Sequence, residues 1–173
     1  MRRPIVSMFL ASVLAGAACA PAPPPPPPAP AGPTPAEMVS AANALDQRLV
    51  DAFNKADVDA LMATYWNSPD LVSYGPDGMG TRGWDAAKAA TVETFKAIPG
   101  ARLELVNGRN DVHGGVVLGS GTWKITIPAA KGPATVLVGR FSDAKALKDG
   151  KWVYLMDHVS VPLPPPPDAG KGK

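Results

Sequence analysis

Cysteine and histidine are almost missing from this chain. Its 173 residues hold one cysteine, Cys19, and two histidines, His113 and His158. A single thiol closes no internal disulfide, and two distant histidines with no second cysteine leave no zinc site of the usual kinds. Charge of one sign is missing too. The formal net charge is +2, but both excess charges are Arg2 and Arg3; without them the 17 basic side chains become 15, against 15 acidic. A balanced chain lacks the cationic footprint of a nucleic-acid binder, so no nucleic-acid partner is expected. No phosphate-cradling glycine loop, Gly-x-Ser-x-Gly elbow or dinucleotide fingerprint is present. Neither a cofactor nor a metal is expected. Gly119-Ser120-Gly121 comes nearest to such a motif, but inside a strand pattern it reads as a bend in a sheet.

Proline, by contrast, is abundant, with 21 residues that cluster near the two ends. Ahead of the first cluster, Arg2 and Arg3 precede an apolar run over 5–14 and small residues over 15–18. Those are the charged, apolar and small-residue zones of a bacterial secretion signal. The run is too short for a spanning helix, which needs about 20 residues to cross roughly 30 Å of hydrocarbon. Cys19, directly after Gly16-Ala17-Ala18, resembles the lipobox of bacterial lipoproteins, although Gly16 stands where that family more often has an aliphatic residue. The resemblance implies a signal over 1–18, acylation at Cys19 and a lipid bilayer as partner. Because Ala20 is not the aspartate associated with inner-membrane retention, it further implies the periplasmic face of the outer membrane in a bacterial cell envelope. The alternative is ordinary secretion with cleavage at an Ala-x-Ala site, which would leave Pro21 beside the cut.

Residues 19–34 are nearly all Pro, Ala and Gly, with prolines uninterrupted over 23–28. Such a segment forms neither helix nor ladder bonds and favours polyproline II, a semi-rigid tether rising about 3.1 Å per residue. It holds a domain clear of a lipid surface, or serves as ligand for a proline-recognising partner. A second run, Pro164 to Pro167, opens a disordered tail over 164–173. Residues 35–163 are left for one domain with a modest core.

Within that domain Thr34-Pro35-Ala36-Glu37 forms a helix start, a cap, a first-turn proline and a capping-box acid. Met38, Ala42, Leu45, Leu49 and Phe53 then make one apolar stripe at helical spacing. Asp57 caps a shorter second helix carrying Leu61, Met62, Tyr65 and Trp66, a strand-like run spans 71–74, and 75–78 read as a turn. A third helix over 84–98 puts Trp84, Ala87, Thr91, Phe95 and Ile98 on one face, stopped by Pro99-Gly100. After Gly100 the period changes to 2. Strands are expected around Leu103 and Leu105, over 116–127, over 136–145 and over 152–161, the last two joined by a hairpin at Asp149-Gly150. Helices followed by consecutive strands mean α+β, with the N-terminal helices packed on one face of a curved antiparallel sheet.

The order of these elements, with Asp57-Val-Asp-Ala-Leu-Met-Ala-Thr-Tyr-Trp66, Leu71-Val-Ser-Tyr74, Gly83-Trp84, Gly150-Lys-Trp152 and Asp157-His158-Val159-Ser160, resembles the SnoaL-like proteins. These belong to the nuclear-transport-factor-two-like superfamily, which includes ketosteroid isomerase. The resemblance covers roughly 36–162 and implies a cone, a strongly bent antiparallel sheet wrapped around helices with a cavity open at one end. Family members isomerise, cyclise, dehydrate, only bind ligands or dimerise, so fold leaves function open. Ketosteroid isomerase needs a carboxylate base and an acidic oxyanion donor. The matching stretches here, Val72-Ser73-Tyr74-Gly75 and Thr135-Val-Leu-Val-Gly139, hold no carboxylate, and Asp70 and Asp77 only flank the first. That chemistry is not expected.

Period-2 geometry over the last strand places Trp152, Tyr154, Met156, His158 and Ser160 on one face. This mixed face is expected to line the cavity, with His158 as a general base or a structural histidine. Val153, Leu155, Asp157, Val159 and Val161 take the other face, with Asp157 paired locally to Arg140 or a backbone amide. Trp66, Tyr74, Trp84 and Trp123 are candidate lining aromatics or core, Arg140 a carboxylate binder or a surface ion pair, and His113 a solvated turn residue. Three functions compete. The first is a lipid-anchored domain binding a small, largely apolar molecule. The second is an isomerase, dehydratase or hydrolase using His158 with Tyr74 or Tyr154. The third is a homodimerising interaction module without ligand.

Overall fold

A computed structural model describes residues 32–76 and 78–162. The expected signal over 1–18, Cys19, most of the expected tether, Asp77, Leu163 and the expected tail over 164–173 lie outside the described residues. The fold is that of the unit beginning at Pro33.

Helix α1 (Pro35–Asn54) starts as its sequence dictates: Glu37 N donates to Thr34 Oγ1, and Thr34 N donates to Glu37 Oε2 at 2.7 Å. That reciprocal cap holds the Glu37 carboxyl below its ordinary range, chiefly through the Thr34 backbone amide. Met38, Ala42 and Leu45 are buried, and Leu49 and Phe53 extend the same stripe toward the cavity. Helix α2 (Val58–Met62) is capped by Asp57 and buries Leu61 and Met62. Strand β1 (Val72–Tyr74) and strand β2 (Gly80–Arg82) form a short hairpin before helix α3 (Trp84–Ala97). Four long strands follow: β3 (Arg102–His113), β4 (Val116–Ile127), β5 (Thr135–Lys148) and β6 (Lys151–Ser160). Asp149 and Gly150 both take positive φ, as the two-residue turn between β5 and β6 requires.

The sheet order is β2-β1-β6-β5-β4-β3. Every pairing is antiparallel except β1 with β6, which is parallel because the chain leaves β1 and returns to its other side only after crossing the whole sheet. Two buried clusters hold the layers together. Ala52, Leu61, Met62, Leu71 and Ala87 join the three helices to β1, and Met38, Ala42 and Val117 seal α1 against β4.

Glycines on the concave face are placed opposite the largest inward side chains. A Cβ on Gly139 would lie 2.3 Å from the Trp123 ring, one on Gly121 would lie 2.7 Å from Phe141, and one on Gly119 would lie 2.4 Å from an Asp143 oxygen. Gly119 and Gly121 therefore do more than let the sheet bend: they vacate space for their cross-strand partners Asp143 and Phe141.

Candidate functional site

One register shift decides what the cone holds. In the β5–β6 ladder Asp143 pairs with Asp157 and Ala144 with Met156, but Lys145 pairs with Tyr154, leaving Leu155 as an extra residue on β6. Such a bulge reverses the alternation, so Tyr154 before it and Asp157 after it both point inward. Asp157, Val159 and Val161 line the cavity and His158 does not. The sequence-based assignment of the two faces is correct for Tyr154 and inverted beyond it. His158 is exposed, its ring centroid 6.0 Å from that of Tyr74 in an edge-to-face contact with its parallel partner across β1–β6. Of the two partners expected for Asp157, Arg140 is overturned, because it lies on the outward side of β5 and is exposed, whereas a backbone amide, that of Asp157 itself, is among the groups that draw its carboxyl down.

The cavity encloses about 710 Å³ between α1, α2, α3 and the bent sheet, within the range of small-molecule sites. Its walls are apolar, formed by Leu49, Phe53, Phe95, Leu105, Trp123 and Phe141 among others. Exposure on β5 rises from 0% at Lys145 to 41% at Leu137, so the closed end lies toward Lys145 and the mouth toward Leu137. Of the aromatics singled out in the sequence, Tyr74, Trp123 and Tyr154 line the cavity. Trp66 and Trp84 do not: Lys148 Nζ sits 4.9 Å over the Trp66 ring, and Trp84 Nε1 donates to the Met62 carbonyl at 3.0 Å. Trp123 Nε1 donates to the Arg140 carbonyl, which fixes its indole across the cavity wall.

Polar side chains gather at the closed end, and most of them carry no obvious mark in the sequence. Tyr65 follows α2 and is bridged to Tyr154 through the Trp66 and Tyr154 backbone amides, bringing the two rings within 5.3 Å. Tyr65 Oη donates to Asp157 Oδ2 at 2.9 Å, and Tyr154 Oη donates to Asp46 Oδ1. Behind the wall Lys145 Nζ, fully buried, reaches Asp46 Oδ1 and Asn110 Oδ1 at 2.8 Å each and Asp143 Oδ1 at 3.0 Å. Asn110 Nδ2 donates in turn to Asn43 and Asp46 on α1. Asp143 and Asp157 each keep a buried Oδ1 that makes no aligned hydrogen bond.

Burial dominates the electrostatics. It pushes Asp143 up to about 6, against the opposing pull of Lys145. Burial also raises Asp157, opposed by Ser73 and by Tyr65. Both tyrosines are raised, first by burial and then by the carboxylates they face, Asp157 for Tyr65 and Asp46 for Tyr154, so they stay protonated donors. Among the described residues no group of three or more His, Cys, Asp or Glu could hold a metal ion. The site sequence reasoning missed is Tyr65, Asp143, Lys145, Asp46 and Asn110. One signal was available: Asp143 and Lys145 occupy inward positions of an otherwise apolar strand, opposite a glycine that makes room for them.

Three similar solved structures share this architecture. An NTF2-like superfamily protein from Salmonella enterica serovar Typhimurium superposes with a TM-score of 0.67 at 20% identity, covering 80% of this chain and 99% of that one. A proposed dehydratase of the NTF2-like family from Streptomyces avermitilis gives 0.68 at 15% identity, over 76% and 100%. An NTF-2 like protein of unknown function from Shewanella oneidensis gives 0.60 at 24% identity, over 70% and 97%. At these identities the likeness is one of fold. A comparison with curated proteins gave no match. The model of the SnoaL-like domain matches residues 47–155, from the middle of α1 to the bulge on β6, and by that match the chain belongs to the SnoaL-like family.

Proposed function

We propose that this protein is a lipid-anchored domain of the bacterial periplasm that binds a small, largely apolar molecule in its cone. One observation carries the reading: a cavity of about 710 Å³ with apolar walls and a few convergent polar groups at its closed end, the usual character of a small-molecule site. An open cone with buried polar groups also favours a ligand over a pure dimerisation module. The anchor is argued from the lipobox-like placement of Cys19 and the proline tether. The purified protein, released from its native membrane and analysed by mass spectrometry, should yield a retained small molecule in stoichiometric amount. Trp123 emission should shift on its return. A protein that retains nothing and shows no emission change with any apolar probe would overturn the reading. Cys19→Ser should abolish acylation and release the protein from the membrane fraction; unchanged mass and fractionation would remove the anchor.

A second reading, turnover, is favoured by Asp143, whose carboxyl near 6 suits proton transfer near neutrality. His158, outside the cone, no longer supports it. Were the retained molecule a substrate, Asp143→Asn would lower its turnover on the order of 10²–10⁴-fold.

A further inference from the structure

We propose that the molecule taken by this cavity is an apolar amine, its protonated nitrogen held between Asp143 and Asp157. The inference rests on the cone being a small-molecule site and names the chemical class of its occupant.

Donors and acceptors at the closed end decide the class. A phenol has one proton to give, and both phenols have given theirs: Tyr65 to Asp157 Oδ2 and Tyr154 to Asp46. Lys145 Nζ has three protons and three oxygens around it, from Asp46, Asn110 and Asp143, and it does not line the cavity. Thr91 and Thr94 donate to their own helix and Ser73 is bonded to Asp157, so beside the Ser142 and Thr81 hydroxyls the cavity-facing groups left over are two acceptors. Asp143 and Asp157 are cross-strand partners, both line the cavity, and each keeps a buried Oδ1 without an aligned hydrogen bond. Asp143 as a residue is only 6% exposed. A carbonyl, enolate or carboxylate entering the cone meets acceptors where it needs donors. An ammonium brings a donor to Asp157 Oδ1, and a second cation to Asp143, whose Oδ1 otherwise has only Lys145 Nζ, 3.0 Å away and not aligned with it.

Charge points the same way. Asp46 and Asp143 contact Lys145, the single buried cation among the described residues, and Asp157 lies across the strands from Asp143. Uncompensated buried carboxylates are costly, and burial raises both cavity-facing ones toward protonation. A bound cation supplies positive charge while its hydrocarbon fills walls that are apolar apart from a few serine and threonine hydroxyls. An alcohol of the same length would supply a donor without the charge.

The test uses decylamine, decanol and decanoate against the purified full-length protein at pH 8, followed through Trp123 emission and calorimetry. Decylamine should bind at least tenfold more tightly than decanol, and decanoate weakest of the three. Asp157→Asn, which keeps shape and removes charge, should cut the amine's advantage at least tenfold while leaving decanol binding within about threefold. Decanol binding as tightly as decylamine, decanoate binding tightest, or a folded Asp157→Asn protein that keeps the full advantage would each overturn the amine assignment and leave the apolar site standing. Binding of none of the three would overturn the site itself.

Should Asp157→Asn fail to fold, the unaltered protein gives the same answer through pH. Facing Asp143 are Lys145 on its own strand, Asp157 and Tyr154 on β6, Tyr65 after α2, Asp46 on α1 and Asn110 on β3. With Asp143 titrating near 6 in the empty protein, the advantage of decylamine over decanol should shrink at least threefold between pH 8 and pH 5. A constant or growing advantage would overturn the assignment.

Discussion

The wall and the closed end of the cone are built by opposite rules. The wall is made of apolar side chains and of glycines that give way to them, as Gly139 does beneath Trp123 and Gly121 beneath Phe141. Its contribution scales with area removed from water, roughly 25 cal/mol per Å². The closed end gathers three carboxylates, one ammonium and two phenols, with Asp143, Lys145 and Tyr154 buried and Asp46, Asp157 and Tyr65 half-buried. Such an ionic cluster is a weak source of stability, because desolvation offsets most of the attraction. A well-packed apolar plug there would serve the fold as well or better. The difference teaches that the wall accounts for the fold, while the closed end is the part that the proposed binding function would explain.

Removing Lys145, the one buried cation among the described residues, is the sharpest way to break that contrast. Lys145→Ala leaves Asp46 and Asp143 facing each other without compensation, and should cost about 3–5 kcal/mol in urea unfolding. A loss below about 1 kcal/mol would mean that the cluster is hydrated and the two regions do not differ. Adding Asp143→Asn in the Lys145→Ala background should recover part of the loss, since the two side chains are in contact and their effects are not additive.

The next largest effect is in pH. Asp143 is raised from 3.8 to about 6 on folding, so the folded chain holds this proton where the unfolded chain has released it. Protonated Asp143 therefore favours the fold. Its contribution is complete below about 3.8 and is lost as pH rises through about 6, on the order of 2–3 kcal/mol across the window. Asp157, also raised by burial, acts in the same direction. Unfolding followed from pH 4 to pH 7 should show this fall in stability, and Asp143→Asn should flatten it. A stability that rises steeply across the same range in both proteins would show that the closed end does not bury its carboxylates.

Tyr65→Phe is milder. It removes the hydrogen bond to Asp157 Oδ2 and leaves the ring against Tyr154, so about 1–3 kcal/mol is expected. Because Tyr65 holds the Asp157 carboxyl down, its loss should also push that carboxyl further up. A change under about 0.5 kcal/mol, with Asp157 titrating as before, would place the hydroxyl in water rather than in the closed end.

How much of this was legible depended on whether the signal was local. The capping box at Thr34 and Glu37, the α1 stripe and the Asp149-Gly150 turn are local, and the structure has them where the sequence places them. The order of elements gave helices packed on a curved antiparallel sheet, and the cone came from the family resemblance. Tyr65 was visible only as an apolar residue of a short helix, because its partner Asp157 lies 92 positions away. Asp46 and Tyr154, 108 positions apart, meet only once α1 lies in the concavity. The parallel β1–β6 pairing was invisible for the same reason. Most consequential was the bulge at Leu155. Nothing in Tyr154-Leu155-Met156-Asp157 announces an extra residue, and period 2 carried across it sends every later side chain to the wrong face.

The smallest predicted effect tests that bulge directly, through two neighbouring residues. If the alternation ran unbroken, His158 would share the cavity face of Tyr154 and Asp157 would point away. With Leu155 as the extra residue, Asp157 faces the cavity and His158 faces outward against the edge of Tyr74. His158→Gln then replaces one exposed polar side chain with another, and should change stability by no more than about 0.5 kcal/mol, the usual range for surface sites. It should leave the affinity for any occupant of the cone within about twofold. Asp157→Asn, one residue earlier and equally conservative in shape, should alter both the titration and the binding. Measured side by side by urea unfolding and Trp123 emission, a silent His158→Gln and a responsive Asp157→Asn are the result that the bulge requires. The reverse pattern would mean that β6 is paired without the bulge, and that the polar closed end is not built as described.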